Sequence, residues 1–352
     1  MSKIYNLIVN KIKYRPFFIA EVGVNHNGKL KNVFKLIDAA KKANCDAVKF
    51  QTWITEKVYS KKSLKPNYQK KNTSKKKSEY NIIKQLELKF SDFVKIKKYF
   101  KKKKILFFST PDEEESAEFL NKIGMQIFKI SSQDITNLYL IDYMTRFKKP
   151  MILSTGACTE NELKLAIDLV RRKTNKFFIF HCVSSYPAPC NQLNLNIIKI
   201  LKKKYSQPIG FSDHTSGYES ACAAVALGAR IFEKHITFNR KQKGPDHLAS
   251  LSPNEMVQYV KKVTNAFVSL GSYKKKIMPS ELNTRKAFSR YLVATNNLKP
   301  GMILTKDDIL QKKINKGINA KHKGLFIKKK LIRPIRANQI FEWSHIKKKN
   351  AK

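Results

Sequence analysis

The stretch FFIAEVGVNHNGKLKNVFKLIDAAKKANCDAVKFQT, residues Phe17–Thr52, decides the fold class of this chain. It begins with the apolar run FFIAEVGV (Phe17–Val24) and ends with a second one, AVKFQT (Ala47–Thr52), and both contain many residues that strands prefer. Between them, LKNVFKLIDAAKKA has apolar residues at spacings of three and four, which is typical of an amphipathic helix. The stretch therefore predicts a strand, a crossover helix and a parallel second strand.

The same alternation continues along the chain. Six further apolar runs follow, with helix-like segments between most of them: ILFFST (Ile105–Thr110), IFKISS (Ile127–Ser132), MILSTG (Met151–Gly156), FFIFHCVS (Phe177–Ser184), PIGFSDH (Pro208–His214) and IFEKHIT (Ile231–Thr237). Because strands that are apolar throughout are buried on both faces, this pattern favours a parallel sheet covered by helices. Eight such units over roughly 250 residues match a (β/α)₈ TIM barrel. A doubly wound open sheet is the alternative, but no GxGxxG motif follows the first strand.

The composition indicates a folded chain with a large excess of positive charge. Apolar residues make up 42% of the 352 residues, and Lys+Arg number 71 against 26 Asp+Glu, a net charge of +45. Such an excess is also found in nucleic-acid-binding proteins, which is the competing interpretation from another class of protein. However, the lysines are spread over the whole length and are not clustered with interleaved aromatic residues, as single-strand binding requires. We therefore expect a solvated basic surface and no nucleic-acid partner.

The cysteines and the terminal segment indicate the compartment. The five cysteines form no CxxC pair, which fits a reducing cytoplasm better than a secreted disulfide framework. The amino-terminal residues lack the apolar core and cleavage site of a signal peptide. No apolar run approaches the roughly 18 residues of a membrane span, so we predict no membrane partner.

The pattern divides the chain into three predicted regions: a barrel (residues 1–275), a linker (276–287) and a small β-rich domain (288–349). In the last region, NNLKPGMILTKDDI (Asn296–Ile309) and RPIRANQIFEWSHI (Arg333–Ile346) share an order of apolar, basic and turn residues. This internal repeat indicates a pseudo-symmetric unit.

Inside the barrel region, residues 56–88 interrupt the alternation of strands and helices. They form either a disordered insertion or a lid over a substrate.

Polar residues follow almost every predicted strand, at the end where barrel enzymes form their active sites. Lys49 and Lys129 lie inside apolar strands, where an unpaired charge is costly. A bound phosphate that also contacts serine hydroxyls would supply the pairing, and the Schiff-base lysine of an aldolase is the alternative. His214 and His235 end adjacent strands beside acidic residues, a pattern that suits a divalent metal with open positions.

Seven motifs, in chain order, resemble those of the sialic acid synthases: AEVGVNHNG, VKFQT, FKISSQD, STGA, HCVSSYPAP, IGFSDHTSG and AVALGARIFEKHIT. The resemblance covers about residues 15–250, and the tail is similar to the antifreeze-like (SAF) domain of that family. It implies condensation of phosphoenolpyruvate with an N-acylated hexosamine to a nine-carbon α-keto acid, with release of phosphate. It also implies a domain-swapped homodimer, in which the tail of each subunit covers the barrel of the other.

The resemblance further implies roles for individual residues. Glu21 and Asp134 would be catalytic, and His214 and His235 would bind manganese or magnesium. The substrate-binding residues would be Lys49, Gln51, Lys129, Ser132, Ser154, Tyr186, Ser212, Asp246 and Lys313. Among these, the two barrel lysines and the three serines would hold phosphoenolpyruvate, whereas Tyr186 and Asp246 would contact the sugar.

Two departures from the family pattern concern the sugar. Residues 312–315 read Lys-Lys-Ile-Asn where many members have an arginine in an RPG-like stretch, and a lysine lacks the two parallel hydrogen bonds of a guanidinium group. Ser184 and Ser185 also replace an asparagine of the N-acetylneuraminate branch. The sequence therefore leaves N-acetylmannosamine and a di-N-acetylated 6-deoxyhexose, the legionaminic acid type of substrate, both open.

Overall fold

Eight parallel strands, β1 to β8, close into a barrel in the order in which they occur along the chain. The computed structural model describes residues 3–73 and 77–347. The barrel strands span Phe17–Gly23, Ala47–Thr52, Leu106–Pro111, Phe128–Ile130, Met151–Ser154, Phe177–Cys182, Ile209–Asp213 and Ile231–His235. The predicted (β/α)₈ TIM barrel is thus confirmed, and each predicted apolar run contains one strand or nearly all of it.

The register of β1 against its two neighbours places charged residues side by side. Strand β1 pairs with β2 and with β8, so that Glu21 lies opposite Lys49 on one side and opposite His235 on the other. Residues directly opposite each other in adjacent strands point to the same face of the sheet. The closure of the barrel therefore brings these three side chains together at its carboxyl end.

Twelve helices belong to the barrel unit among the described residues, and their amphipathic pattern explains their placement. In α2 (Leu30–Lys42), residues Val33, Leu36, Ile37 and Ala40 are buried at helical spacing. The twelve, α1 to α12, span Lys3–Lys11, Leu30–Lys42, Thr55–Val58, Asn67–Asn72, Glu79–Leu86, Phe90–Lys103, Glu114–Lys122, Leu138–Thr145, Glu160–Arg171, Ile197–Lys204, Glu219–Leu227 and Pro253–Ser269. Short 3₁₀ helices span Ser132–Asp134, Cys190–Gln192 and His247–Ala249.

Helix α1 closes the amino-terminal end of the barrel. Its residues Ile4 and Ile8, with Ile12 just beyond the helix, form a buried cluster with strand residues such as Phe17 and Phe178. This cluster fills one end of the barrel with apolar side chains. The carboxyl ends of the strands, where the polar residues lie, remain as the open end.

The insertion at residues 56–88 is structured wherever it is described. It contains most of α3 together with α4 and α5, and its residues Ile82, Ile83 and Leu86 form an apolar cluster with Val24 and Trp53 of the barrel. The hypothesis of a disordered insertion is therefore wrong for the described part, and residues 74–76 lie outside that part. The packing fixes the insertion against the carboxyl end of the barrel.

The chain divides into two compact units, Met1–Gly271 and Ser272–Lys352. The second unit begins with two short helices, a 3₁₀ helix at Pro279–Glu281 and α13 (Leu282–Phe288). Strands β9 (Arg290–Ala294) and β10 (Ile309–Lys313) follow as an antiparallel pair, and further 3₁₀ helices span Ala320–Leu325 and Trp343–His345. This β-rich unit agrees with the predicted small domain, of which residues 348–349 lie outside the described part.

The internal repeat of the sequence is a pseudo-two-fold symmetry of this unit. Leu298 and Ile335 occupy the same position in the two copies, and their backbones exchange two hydrogen bonds, of 2.8 and 3.1 Å. Gly301 and Asn338, also equivalent, both have positive φ angles, +95° and +61°, as the turn at this position requires. The repeat therefore encodes one turn that is used twice around a shared core.

Within residues 3–73 and 77–347, no helix is both long enough and apolar enough to cross a membrane.

Candidate active site

A cavity of about 480 Å³ opens at the carboxyl ends of the barrel strands. Eleven of the thirteen residues that the sequence singled out line it: Glu21, Lys49, Gln51, Lys129, Ser132, Ser154, Tyr186, Ser212, His214, His235 and Asp246. Residues from the insertion, among them Tyr59 and Tyr68, line the opposite wall. The polar strand ends therefore form one site, as the sequence predicts for a barrel enzyme.

Two buried ion pairs form the floor of this cavity. Lys49 Nζ lies 2.9 Å from Glu21 Oε1, and Lys129 Nζ lies 2.5 Å from Glu233 Oε1. A longer contact of 3.9 Å between Lys49 and Glu233 links the two pairs. The sequence argument expected a phosphate to balance the lysines, whereas in the structure two carboxylates of the chain itself balance them.

Glu233 is the member of this cluster to which the sequence analysis gave no function. It lies in β8 between Phe232 and Lys234, and it faces the interior because side chains alternate along a strand. The spacing of two residues between Glu233 and His235, which puts both side chains on the same face of β8, was the signal that could have identified it.

The two carboxyl groups of the cluster differ in acidity. Burial raises the pKa of Glu21 to about 7, although Lys49 lowers it. Burial also acts to raise the pKa of Glu233, but Lys129 and Lys49 outweigh it, so that this pKa is lowered. Glu21 is thus able to gain or lose a proton near neutral pH, while Glu233 stays ionised and holds its lysine in place.

Hydroxyl groups from two strands and from the 3₁₀ helix after β4 lie near the lysines. Ser212 donates a hydrogen bond to Glu233 Oε1 at 3.2 Å, and Ser154 ends β5 inside the cavity. Ser132 accepts a hydrogen bond from the backbone nitrogen of Gly156 at 3.0 Å. A Cβ atom at Gly156 would overlap Ser184 Oγ and lie 2.7 Å from Ser132 Oγ, so that a side chain here would displace these hydroxyls. Ammonium and hydroxyl groups that converge in this way suit the oxygens of a phosphate.

The two histidines that the sequence proposed as metal ligands face each other across the cavity. Their ring centroids are 5.6 Å apart. His214 Nδ1 lies 2.7 Å from the carbonyl oxygen of Val183, a contact that places the proton on Nδ1 and leaves the electron pair on Nε2, which lies 3.5 Å from Ser212 Oγ. His235 Nδ1 is buried without a hydrogen-bond partner among the described residues, and it lies 3.8 Å from Asp246 Oδ2.

These donors fit a divalent cation with open coordination positions. Burial lowers the pKa of His235 well below its ordinary value, and His214 lowers it further, so that this imidazole is neutral as a metal ligand must be. In the described ranges, no group of three or more His, Cys, Asp or Glu is arranged to hold a metal ion. A cation at this place would therefore take two imidazole nitrogens and leave its other positions to solvent or substrate.

Aromatic rings cover one side of the histidine pair. The Tyr186 ring lies 4.0 Å from that of His214, and Tyr68 of the insertion lies 4.9 Å from Tyr186, centroid to centroid. Cys182 also belongs to this wall, with its Sγ 3.7 Å from His214 Nδ1. Sequence reasoning gave Tyr68 no role, because no motif connects the insertion to the strand ends. It also gave none to Cys182, which ends the apolar run of β6.

Two of the predicted site residues do not line the cavity. Asp134 lies in the 3₁₀ helix after β4, and its Oδ2 accepts a hydrogen bond from Ser131 at 2.6 Å. Lys313 belongs to β10 of the second unit, where its Nζ lies 4.8 Å from the ring centroid of Phe288. Asp112 at the end of β3, which the sequence analysis did not single out, does line the cavity.

Comparisons with known proteins show which enzymes the chain is similar to. The chain is 35% identical over 351 residues to the N,N'-diacetyllegionaminic acid synthase of Legionella pneumophila, covering 97% of this chain and 99% of that protein. It is 32% identical over 293 residues to human N-acetylneuraminate-9-phosphate synthase, covering 83% of this chain and 81% of that protein. A crystal structure of N-acetylneuraminic acid synthetase from Leptospira borgpetersenii, in complex with citrate, superposes with a TM-score of 0.68 and 35% identity over 78% of this chain and 92% of that one.

The family assignment follows from the extent of these matches. Residues 36–275, which include seven of the eight barrel strands, match the model of the NeuB family. The relatives just named cover most of the chain at more than 30% identity. The chain therefore belongs to the NeuB family of sialic acid and legionaminic acid synthases.

Proposed function

We propose that this enzyme condenses phosphoenolpyruvate with the aldehyde of an N-acylated hexosamine to a nine-carbon sialic-acid-type keto acid, releasing phosphate. The observation that carries the proposal is the buried cluster of Glu21, Lys49, Lys129 and Glu233 at the open end of the barrel. It combines two ammonium groups for an anion with one carboxyl whose pKa of about 7 suits proton transfer. The named activities of the relatives from Legionella and human support the same type of reaction.

Phosphoenolpyruvate binds on the lysine side of the cavity in this proposal. Lys129 and Lys49 contact the anionic oxygens, and the hydroxyls of Ser132, Ser154 and Ser212 complete the contacts. Glu233 keeps Lys129 extended toward the cavity before the substrate arrives, because the two groups are 2.5 Å apart. Binding then needs little rearrangement of the lysines, which lowers its entropic cost.

The reaction forms one carbon–carbon bond and breaks one carbon–oxygen bond. The methylene carbon of phosphoenolpyruvate attacks the aldehyde carbon, whose oxygen gains a proton. Water then adds at the phosphate-bearing carbon and loses one proton. Phosphate leaves with the bridging oxygen as that carbon–oxygen bond breaks, the new hydroxyl loses its proton to the phosphate, and the carbon becomes the keto carbonyl. Glu21 lies beside Lys49 at this place, and its raised pKa allows it to exchange these protons near neutral pH.

A manganese or magnesium ion would be held by His214 and His235. When bound there, such a cation polarises the oxygen of the aldehyde and makes its carbon more electrophilic. Calorimetric titration of the chelator-treated protein with Mn²⁺ tests this assignment directly, and His235→Ala should abolish binding while the melting temperature is kept. Full turnover after exhaustive chelation would contradict it.

A Schiff-base aldolase is the competing enzyme class, and the structure gives it little support. Burial acts to lower the pKa of Lys49, but Glu21 and Glu233 outweigh it and raise that pKa, so that the amine stays protonated and non-nucleophilic. Borohydride trapping with a keto acid should therefore leave Lys49 and Lys129 unlabelled.

The test of the main proposal is phosphate release. Phosphoenolpyruvate is incubated with N-acetylmannosamine or with di-N-acetylated 6-deoxyhexoses, and free phosphate is measured. We propose the legionaminic acid type of sugar as the preferred one, supported by the serines at 184 and 185 and by the 35% identity to the Legionella relative, which extends over 97% of this chain. Phosphate release without any sugar, or none with every sugar, would contradict the proposal.

The tail is proposed to act as an SAF-like domain that completes the site of a second subunit in a swapped homodimer, with residues 276–287 as the linker. The exposed side chains of Tyr273, Met278, Leu282 and Phe288 support an intersubunit role for this segment. A full-length Glu21→Ala chain is mixed with a chain truncated after Gly271, each nearly inactive alone. Swapped tails predict that hybrid dimers regain activity, and no recovery in verified hybrids would refute them.

A further inference from the structure

A carboxyl group that no sequence motif identifies lies in the wall of the central cavity. Asp112 directly follows β3, and its backbone nitrogen donates a hydrogen bond of 3.0 Å to the carbonyl oxygen of Thr52 at the end of β2. This bond fixes its position between the two strand ends. Its side chain lines the cavity, and the residue is only 7% exposed.

The side chain of Asp112 is buried without full hydrogen bonding. Its Oδ1 accepts no hydrogen bond from any residue that the structure describes. The two other carboxylates at the strand ends, Glu21 and Glu233, each have a lysine nitrogen within 2.9 Å. Leaving a buried acceptor without a donor destabilises the folded chain, so that such a group at a cavity wall points to a ligand that supplies the donor.

The carboxyl group of the next strand is used differently. Asp134 follows β4, and its Oδ2 accepts a hydrogen bond from Ser131 Oγ at 2.6 Å inside its own 3₁₀ turn. Asp134 is not among the residues that line the cavity. Of the two aspartates, Asp112 is the one that lines the cavity, and Asp134 lies near enough to help raise the pKa of Asp112.

The surroundings of Asp112 indicate the chemistry of that molecule. Trp53 and Tyr59 supply aromatic surface to the same cavity, and Gln51 and Thr110 supply further polar groups. Burial and the nearby Asp134 raise the pKa of Asp112 well above its ordinary value, so that its ionised form needs a hydrogen-bond donor from the ligand. An ionised carboxylate only accepts hydrogen bonds, and the ligand group opposite Oδ1 is therefore a donor. Amide N–H and hydroxyl groups on a ring with apolar faces, as in an N-acylated amino sugar, meet both requirements.

We propose that Asp112 binds an N–H or O–H substituent of the amino sugar and thereby helps to set which sugar the enzyme accepts. This inference rests on the proposed function, because the sugar is the second substrate of that reaction. It places the sugar between the insertion and β3, on the side of Trp53 and Tyr59.

The test measures Michaelis constants for both substrates in Asp112→Ala and Asp134→Ala. Asp112→Ala should raise the constant for the sugar at least tenfold and change that for phosphoenolpyruvate less than twofold. Asp134→Ala, at the residue to which the resemblance gives a catalytic role, should raise the constant for the sugar less than Asp112→Ala does. Glu115→Ala, which removes an exposed carboxylate on α7, is the matched control and should change neither constant. If Asp112→Ala does not fold, Asp112→Asn replaces it.

A series of sugars, each lacking one N–H or O–H group, identifies the contact. One of these analogues should lose at least tenfold in binding to the wild-type chain, measured by calorimetry, and lose little further in Asp112→Ala. Equal losses for every analogue in both proteins would overturn the inference, as would a sugar constant that Asp134→Ala raises and Asp112→Ala does not. Phosphate release by the wild-type chain separates this failure from failure of the proposed function, and a wild-type chain that binds no sugar overturns both.

Discussion

Two ion pairs of similar composition involve neighbouring residues of β8, Glu233 and Lys234, but lie on opposite sides of the barrel wall. On the inside, Glu233 pairs with Lys129 at 2.5 Å. On the outside, Lys234 pairs with Asp213 at 3.1 Å. All four side chains are 5% exposed or less, so that burial alone does not distinguish the pairs.

The two pairs differ in how completely their hydrogen-bonding groups are used. Outside, Asp213 Oδ1 accepts hydrogen bonds from the backbone nitrogen and the hydroxyl of Thr215, at 2.9 and 2.7 Å, and Lys234 also contacts the Thr215 carbonyl. Inside, Glu233 Oε2 accepts no hydrogen bond from any described residue. Asp213 Oδ2 also accepts no hydrogen bond from a described residue, although Lys234 Nζ lies 3.1 Å from it. The pairs differ in place as well, because Asp213 and Lys234 do not line the cavity, whereas Glu233 and Lys129 do. We infer that the first stabilises the barrel and that the second is kept for a ligand.

The largest effect is expected for a substitution of Glu21, inside the barrel. Glu21→Gln keeps the size of the side chain but removes its ability to exchange a proton, so that kcat should fall about 10²- to 10⁴-fold. Steady-state phosphate release measures this change. Glu118→Gln on the exposed face of α7 is the control and should retain full activity. An active Glu21→Gln enzyme would remove the distinction between the inner and outer groups.

Breaking the outer pair should lower the stability of the fold and leave substrate binding almost unchanged. Lys234→Met leaves Asp213 buried without its cation, which should lower the free energy of unfolding by about 3–5 kcal/mol. Chemical denaturation measures this loss, and the exposed Lys241→Met is the control. The Michaelis constant for phosphoenolpyruvate, measured well below the melting temperature, should stay within about twofold. A stable Lys234→Met chain that no longer binds substrate would reverse the comparison.

Replacing Lys129, the lysine of the inner pair, should weaken substrate binding. Lys129→Met should raise the Michaelis constant for phosphoenolpyruvate by roughly tenfold to a hundredfold, which corresponds to about 1.5–3 kcal/mol for a charge-assisted contact. The constant for the sugar should change far less. If the constant for phosphoenolpyruvate stays the same, Lys129 has a structural role like that of Lys234.

The smallest effect concerns pH. The pKa of Glu21 is about 7 in the folded chain, above its ordinary value of 4.5, because burial disfavours the charged form. Its contribution to stability is therefore complete below pH 4.5 and is lost as the pH rises through 7. Compared with Glu21→Gln, the wild type should lose on the order of 1–2 kcal/mol of unfolding free energy between pH 4.5 and 8. Parallel stability curves for the two proteins would show that Glu21 is not held in its neutral form by burial.

The sequence predicted the barrel well because its signals are local. Each strand is an uninterrupted apolar run and each large helix an amphipathic one, and such periodicities survive without knowledge of neighbours. The repeat around Leu298 and Ile335 was readable for the same reason, since one turn motif occurs twice. The helices of the insertion were missed because Lys-, Ser- and Asn-rich segments carry weak periodicity, and their packing on Trp53 is a long-range contact.

The sequence predicted most of the residues that line the candidate site, but not which of them form ion pairs with each other. The strand-end rule placed Glu21, Lys49, Lys129 and both histidines correctly in the cavity wall. The same rule did not distinguish Asp134 from Asp112, because both follow a strand and only the backbone path after it determines which side chain enters the cavity. The roles of these residues stay predictions that the experiments above test.

The sequence by itself determined the barrel class, the pseudo-symmetric tail and the set of polar strand ends, because these depend on residue types at short spacing. Only the tertiary structure decided that Glu233 neutralises Lys129, that Lys234 on the next position faces outward to Asp213, and that Asp112 lacks a partner. The physical reason is that electrostatic energies depend on the distance between two charges and on how deeply they are buried. The two charges are often far apart in sequence, as are Lys129 and Glu233, which are 104 positions apart. Barrel closure sets these distances, and no local pattern in the sequence contains them.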